Sequence, residues 1–260
     1  MIDNDPTRTN EAYFQHVDYV INSAADKGLY IGLLPTWGDK VTPSWGVGPV
    51  IFDIDNAYTY GEFLGKRYRN KPNIIWIIGG DRPLYDGNHD YGEIFRSMAK
   101  GVQAGVNGHT FMTFHPSGGR GSSQQFHYED WLDINMWQSG HRQKDIANWD
   151  LISNDYALIP PKPTIDGEPC YEDHPIDPWS REWKPEYGYF REYEVRKQAY
   201  RAVFAGACGH TYGHHSVWQM YTEARYAKNH PDRSWMDALD RPGASQMQYL
   251  RQLMESRPYF

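Results

Sequence analysis

Pro163-Thr164-Ile165-Asp166-Gly167-Glu168-Pro169-Cys170-Tyr171-Glu172 reads as a short strand that ends in a carboxylate. Pro163 and Pro169 bracket it, and proline is confined to strand edges and ends. Side chains alternate along a strand, so Thr164, Asp166 and Glu168 share one face. Gly167 lets the backbone approach a neighbour closely between the two acids. A second segment has the same design: Asn73-Ile74-Ile75-Trp76-Ile77-Ile78 is a continuous apolar run followed by Gly79-Gly80-Asp81. An acid at the C-terminal end of a strand is where parallel α/β barrels place their chemistry.

Outward from these segments, apolar runs alternate with helical stretches. Glu11 to Lys27 carries Tyr13, Val17, Val20, Ile21 and Ala24 at helical spacing, with Gly28 as its stop. Strands are expected at 29–35, 73–78, 110–114, 133–137, 163–168 and 209–213. Helices are expected from a cap at Asp55 to Tyr68, at 91–104, 145–157 and 189–204, and at 245–255 in an otherwise polar, loop-like tail. Strict β/α alternation implies a parallel sheet. Six strands fall short of the eight of a closed barrel, so the expected fold class is α/β, an incomplete (β/α)8 TIM barrel with strands three to eight present. No linker divides the chain, which reads as one barrel domain over 1–260 lacking two βα units at its front. Such a chain would expose sheet edges at strands three and eight, an association hazard.

Composition narrows the function. Charged residues are 23% and the net charge is −7, with no basic patch, which argues against nucleic acid as a partner. No apolar run approaches the roughly 18–20 residues of a membrane span, so no membrane partner is expected. Ten Trp and twenty Tyr suit a Trp-rich core and a sugar site equally. Cys170 and Cys208 read as free structural thiols. His210, His214 and His215 do not have the spacing of a zinc motif, and no metal or cofactor is expected. Gly118-Gly119-Arg120-Gly121 lacks the Lys-Ser/Thr of a phosphate loop, and no Gly-x-Ser-x-Gly elbow occurs. Two strand-end acids in separate βα units match the two-carboxylate arrangement of glycosidic bond hydrolysis.

Pro72 to Arg82, Asp166 to Glu172 and Leu33-Leu34-Pro35-Thr36-Trp37-Gly38 resemble signature segments of the apiosidase-like glycoside hydrolases, glycoside hydrolase family 140. The resemblance spans essentially the whole chain, with the segments in order. It implies a (β/α)8 barrel acting as an endo-apiosidase on side chains of the plant pectin rhamnogalacturonan II. It also implies a bacterial enzyme whose full-length form is extracellular or periplasmic, although this chain carries no signal peptide. On the family pattern, Asp81 ends strand four and Glu168 ends strand seven, the acid/base and nucleophile positions of a retaining barrel.

One carboxyl group must protonate the leaving oxygen and a second must attack the anomeric carbon or activate water. Asp81 is the candidate acid/base and Glu168 the candidate nucleophile. From the residues alone, Asp81 is equally a turn acid after Gly-Gly, and the roles could be exchanged or the pair could invert. Asp166, one layer deeper, is expected to hydrogen-bond within the barrel and tune Glu168. Glu172 is a rival acid, read as a surface or substrate-contact residue. Trp37, His115, Trp137, Gln138 and His141 lie at or just past strand ends and, with Arg82, are the candidate contacts to an oligo- or polysaccharide. Trp37 and Trp137 are the best stacking platforms, His115 and Gln138 the best hydroxyl readers.

Overall fold

The computed structural model describes residues 1–258. β and α elements alternate along the chain and the strands form open sheets, the fold class of an incomplete (β/α)8 barrel. Two compact units divide the chain, one from Met1–Ser117 with Ser122–Asn135, the other from Gly118–Gly121 with Met136 onward.

In the first unit, α1 (Glu11–Ala25) starts where the Asn10 side chain accepts the Tyr13 N–H at 3.3 Å. It stops two residues before the expected Lys27, and Gly28, at φ 69°, turns the chain into β1 (Ile31–Leu33). The cap of α2 (Ile54–Tyr68) is Asp53 rather than Asp55: Asp53 Oδ1 accepts the Asn56 N–H at 2.8 Å, and the Asn56 side chain accepts the Asp53 N–H at 3.0 Å. This reciprocal pair needs an acid three residues before its partner, a position that Asp55 does not hold. β2 (Ile74–Gly79), α3 (Gly92–Val106) and β3 (Met112–His115) follow, with the short α4 (Ser123–Phe126) beyond.

The sheet order is β1-β2-β3, all parallel, with Leu33 opposite Trp76 and Gly79 opposite His115. That register sets the exit of β2 beside His115. α2 and α3 pack closely because Gly61 and Gly65 face Gly101 and Gly105, where any Cβ would strike the other helix's backbone. Beneath them lies an apolar core that includes Trp76, Ile78, Phe95, Met98, Phe114 and Phe126.

The second unit has β4 (Arg120–Gly121), β5 (Asn135–Gln138), α5 (Asn148–Tyr156), β6 (Thr164–Asp166), α6 (Glu192–Phe204), β7 (Gly209–His210), α7 (His215–Trp218), α8 (Trp235–Ala238) and α9 (Pro242–Glu255). Its sheet order is β4-β5-β6-β7, with β6 and β7 parallel and Asp166 opposite His210. β4 was not expected, and it pairs antiparallel to β5, Arg120 opposite Gln138, so the sheet is not wholly parallel. A two-residue strand carries too little alternation to be read from sequence. The tail is more ordered than its polarity suggested: α9 starts at Pro242, as proline favours, and the buried Glu172 carboxylate accepts the Gly243 N–H at 3.0 Å. Cys170 and Cys208 are both free, Cys170 buried and Cys208 exposed. Among the described residues, no helix is long and apolar enough to cross a membrane.

Candidate active site

In the first unit, β2 ends at Gly79 and the chain turns through Gly79 and Gly80, at φ 91° and 139°. A Cβ on Gly79 would lie 2.6 Å from the His115 carbonyl, and one on Gly80 would lie 2.9 Å from both the Gly38 nitrogen and the Trp37 ring. Only glycine passes this gap and presents Asp81, itself held at φ 43° in the left-handed region. Arg82 Nη1 lies 3.2 Å from Asp81 Oδ2, and its guanidinium sits 4.9 Å over the Trp45 ring. It also donates to the Trp45 and Asp81 carbonyls. Burial pushes the Arg82 guanidinium below its usual value, while Asp81 and Asp39 favour its charge. Arg82, a candidate substrate contact, directs Nε to the Trp45 carbonyl and Nη1 to Asp81.

His115 Nδ1 lies 2.9 Å from the Pro116 carbonyl and 3.3 Å from the Asp81 backbone N–H. One ring nitrogen serves only one of these: protonated it donates to Pro116, bare it accepts from Asp81. The Trp37 ring is 5.6 Å from the His115 ring and 42% exposed, which suits a stacking surface. Trp37, Asp81, Arg82 and His115 are therefore brought together. Asp39, which carries no motif signal, braces this group: its Oδ2 accepts the Val47 and Gly48 N–H groups, each at 3.0 Å.

In the second unit, β6 ends at Asp166, two residues before the expected end, because Gly167 and Glu168 both turn their N–H groups onto the Trp137 carbonyl, at 2.8 and 3.2 Å. A Cβ on Gly167 would lie 2.6 Å from the Met136 side chain, so glycine is needed for this approach. Thr164, Asp166 and Glu168 are buried while Ile165 and Gly167 are less so, the alternation of one strand face. Asp166 accepts Ser139 Oγ–H at 2.8 Å, Ser139 N–H at 3.3 Å and Asn148 Nδ2–H at 3.1 Å. Full burial outweighs these donors and pushes its carboxyl up to about 6. Glu168 is 9% exposed, and its Oε1 lies 3.1 Å from His141 Nε2.

The other candidates lie in the second unit. His141 is buried against Glu168 and ring-stacked on His174 at 4.1 Å and 18°, with Tyr171 at 4.6 Å. Trp137 is 6% exposed and packs with Ile152, Ala202 and Ala207, so it is a core ring and offers no open platform. Gln138 is buried, and its Oε1 has no hydrogen-bond partner within the protein. Glu172 is fully buried rather than at the surface, accepting the Tyr212 hydroxyl at 2.6 Å. His214 and His215 diverge, His214 Nε2 lying 3.1 Å from Asp173 Oδ2 and His215 Nε2 2.8 Å from the Asn229 carbonyl. Among the described residues, no cluster of His, Cys, Asp or Glu could hold a metal ion.

Two neighbours of Glu168's partner carried no local signal. His174 lies in an irregular segment, and Trp179 was one of several loop tryptophans. Trp179 is 50% exposed, its ring edge-to-face with His174 at 5.7 Å.

A family model described as apiosidase-like, catalytic domain matches residues 1–260. A solved structure named a glycoside hydrolase is 37% identical, with a TM-score of 0.85 over 99% of this chain and 58% of its own. A second, named glycoside hydrolase family 5 and from Bacteroides vulgatus ATCC 8482, is also 37% identical, with a TM-score of 0.85 over 95% of this chain and 54% of its own. The chain thus spans between 54% and 58% of the length of these two relatives. No curated protein matches. The second relative overturns the expected assignment to glycoside hydrolase family 140: the numbered family its name carries is family 5.

Proposed function

The chain belongs to the apiosidase-like catalytic-domain family, and on that premise we propose that it is a glycoside hydrolase acting on plant cell-wall polysaccharide. The substrate proposed is an apiose-linked side chain of rhamnogalacturonan II, and the mechanism proposed is retaining. Asp81 protonates the leaving glycosidic oxygen while Glu168 attacks the anomeric carbon, giving a covalent glycosyl-enzyme. Asp81, now a carboxylate, takes the proton of the water that attacks that carbon and expels Glu168. Trp37 supplies an exposed ring for the apolar face of a sugar. Neither step calls for a metal or cofactor.

The observation that supports this most is Glu168 itself: a nearly buried carboxylate past a strand end, joined to an imidazole at 3.1 Å. Glu168→Gln is expected to abolish cleavage while the protein folds and still binds the oligosaccharide, measured by product release and calorimetry. Asp81→Asn is expected to slow turnover by about 10²–10⁴-fold, the usual weight of a general acid–base group. Normal turnover in either variant would remove that residue from the reaction. The anomer first formed, followed by proton NMR, decides between retention and inversion. The family 5 name of one relative favours a second reading, a different linkage. Apiosides compared with arabinosides and galactosides separate the two, and binding without any cleavage would mark a carbohydrate-binding module.

A further inference from the structure

We infer that His174 is a positioning residue for Glu168: stacked on His141, it keeps that imidazole turned so that Nε2–H donates to the carboxylate. The catalytic consequence rests on the role proposed for Glu168, but the geometry does not.

Three imidazoles, of His141, His174 and His215, lie in a column. His141 and His174 stack at 4.1 Å, and His174 meets His215 edge-on at 4.4 Å. At the far end, His215 Nε2 faces the Asn229 and Lys228 carbonyls at 2.8 and 3.0 Å, so that nitrogen carries the proton. His215 Nδ1 accepts the Trp218 indole N–H at 3.4 Å. In the middle, His174 Nδ1 donates to the Pro175 carbonyl at 2.6 Å. At the near end, His141 Nε2 faces Glu168 at 3.1 Å, while its Nδ1 is buried with no partner. A lone pair tolerates that setting better than an N–H, which would be an unsatisfied buried donor. The neutral Nε2–H tautomer is therefore the one that fits.

His141 is enclosed by groups from several elements. Its ionisable neighbours are Glu168, Tyr171 and His174 on the segment after β6, with Asp166 in β6 and His215 on α7 within electrostatic reach. Trp179 and Phe190 close the remaining sides without charge. Burial drives His174 well below the usual imidazole value, with His141 and His215 adding to the effect. The Nε2–H donor steadies the Glu168 carboxylate in one orientation, which attack on the anomeric carbon requires. Loss of the stacked ring would let His141 turn and let water reach Nδ1.

The test combines nitrogen-15 histidine NMR of the whole chain with kinetics of His174→Ala and His174→Phe. The wild type is expected to show His141 as the Nε2–H tautomer at neutral pH. His174→Ala is expected to lower kcat by on the order of 10- to 100-fold, the scale of a misplaced reacting group, with KM little changed and the acid limb of the pH profile moved. His174→Phe, which keeps a flat ring, is expected to recover most of that loss. An Nδ1–H tautomer or an imidazolium at His141, or equal losses in the two folded variants, would overturn the inference. The NMR result needs no turnover. Absence of cleavage with the Nε2–H tautomer present would sink the hydrolase reading alone, and Glu168-dependent cleavage indifferent to His174→Ala would sink this inference alone.

Discussion

The two units are filled with different materials. In the first, the largest fully buried side chains include Trp76, Phe95, Phe114, Phe126, Ile21 and Met98. In the second, the apolar clusters are small, and the interior also holds Asp166, Glu172, Asp173 and His215, all at 0% exposure. Burying rings gains free energy with area and asks little of direction. Burying a carboxylate costs free energy unless each oxygen finds a donor, so it forces the chain into one arrangement. The unit that carries Glu168 is therefore held by directional polar contacts, and its stability is tied to protonation.

The largest expected effect on stability tests this contrast directly. Asp173 is buried among Arg191, Arg233 and Arg241, with Arg233 Nε and Arg241 Nε each at 2.9 Å, and His214 Nε2 at 3.1 Å. Burial alone would raise its carboxyl, but His214 and the arginines hold it down to about 2. Asp173→Ala strands those cations and is expected to cost about 3–5 kcal/mol at neutral pH. Phe95→Ala, in the apolar core, is expected to cost a similar amount, about 3–5 kcal/mol, through lost burial and a cavity. The pH dependence separates them. A lowered folded-state pKa gives stability that is present above the unfolded value of 3.8 and lost as pH falls through about 2. Roughly 2 kcal/mol of the Asp173→Ala penalty should therefore vanish between about pH 4 and 2, while the Phe95→Ala penalty stays. Urea unfolding across that window checks it, and parallel shrinkage of both penalties would break the comparison.

The same contrast explains what the sequence disclosed. Periodic apolar runs disclosed β2, α3 and β3, because an apolar core needs only the right period. Gly167 before Glu168 marked a close backbone approach, because such an approach excludes a Cβ whatever the neighbours are. The polar interior was illegible. Glu172 read as a surface or substrate-contact acid because its partners Tyr212 and Gly243 lie forty or more residues away. Trp137 read as a platform because alternation assigns a face and does not say that Ile152 and Ala202 cover it. His174 had no pattern at all, since it acts through stacking between irregular segments.

A subtler prediction sharpens the comparison within the polar unit. Burial lowers His215 to about 4, so its contribution is present above the unfolded value of 6.5 and lost as pH falls through 4. Asp166 is raised to about 6, so its contribution is present below the unfolded value of 3.8 and lost as pH rises through 6. Each is worth about 3 kcal/mol by linkage, with opposite sign. Between about pH 4 and 6 the two offset in the wild type. His215→Asn should leave a stability that rises on acidification, and Asp166→Asn one that falls. Stability of the two variants against pH checks this, and slopes of the same sign would refute it.

The smallest effect concerns charge at the surface of the apolar unit. Arg67 joins α1 to α2, with Nη1 and Nη2 on Glu11, each at 2.8 Å, and Nε and Nη2 on Asp18 at 3.0 and 2.7 Å. Drawn as hydrogen bonds, this fork looks as strong as the cluster at Asp173. Glu11 is 59% exposed, however, while Asp173 is at 0%. Water already solvates the exposed partners, so an exposed ion pair returns about 0–1 kcal/mol. Arg67→Met keeps the packing on Phe14, over which the guanidinium sits at 5.4 Å, and removes only the charge. Its cost is expected to be about 1 kcal/mol or less, and to disappear in about 1 M salt, where the screening length is about 3 Å. The Asp173→Ala penalty should persist in the same salt, because no ion reaches a fully buried carboxylate. If salt erased both, burial would not be what distinguishes the two clusters.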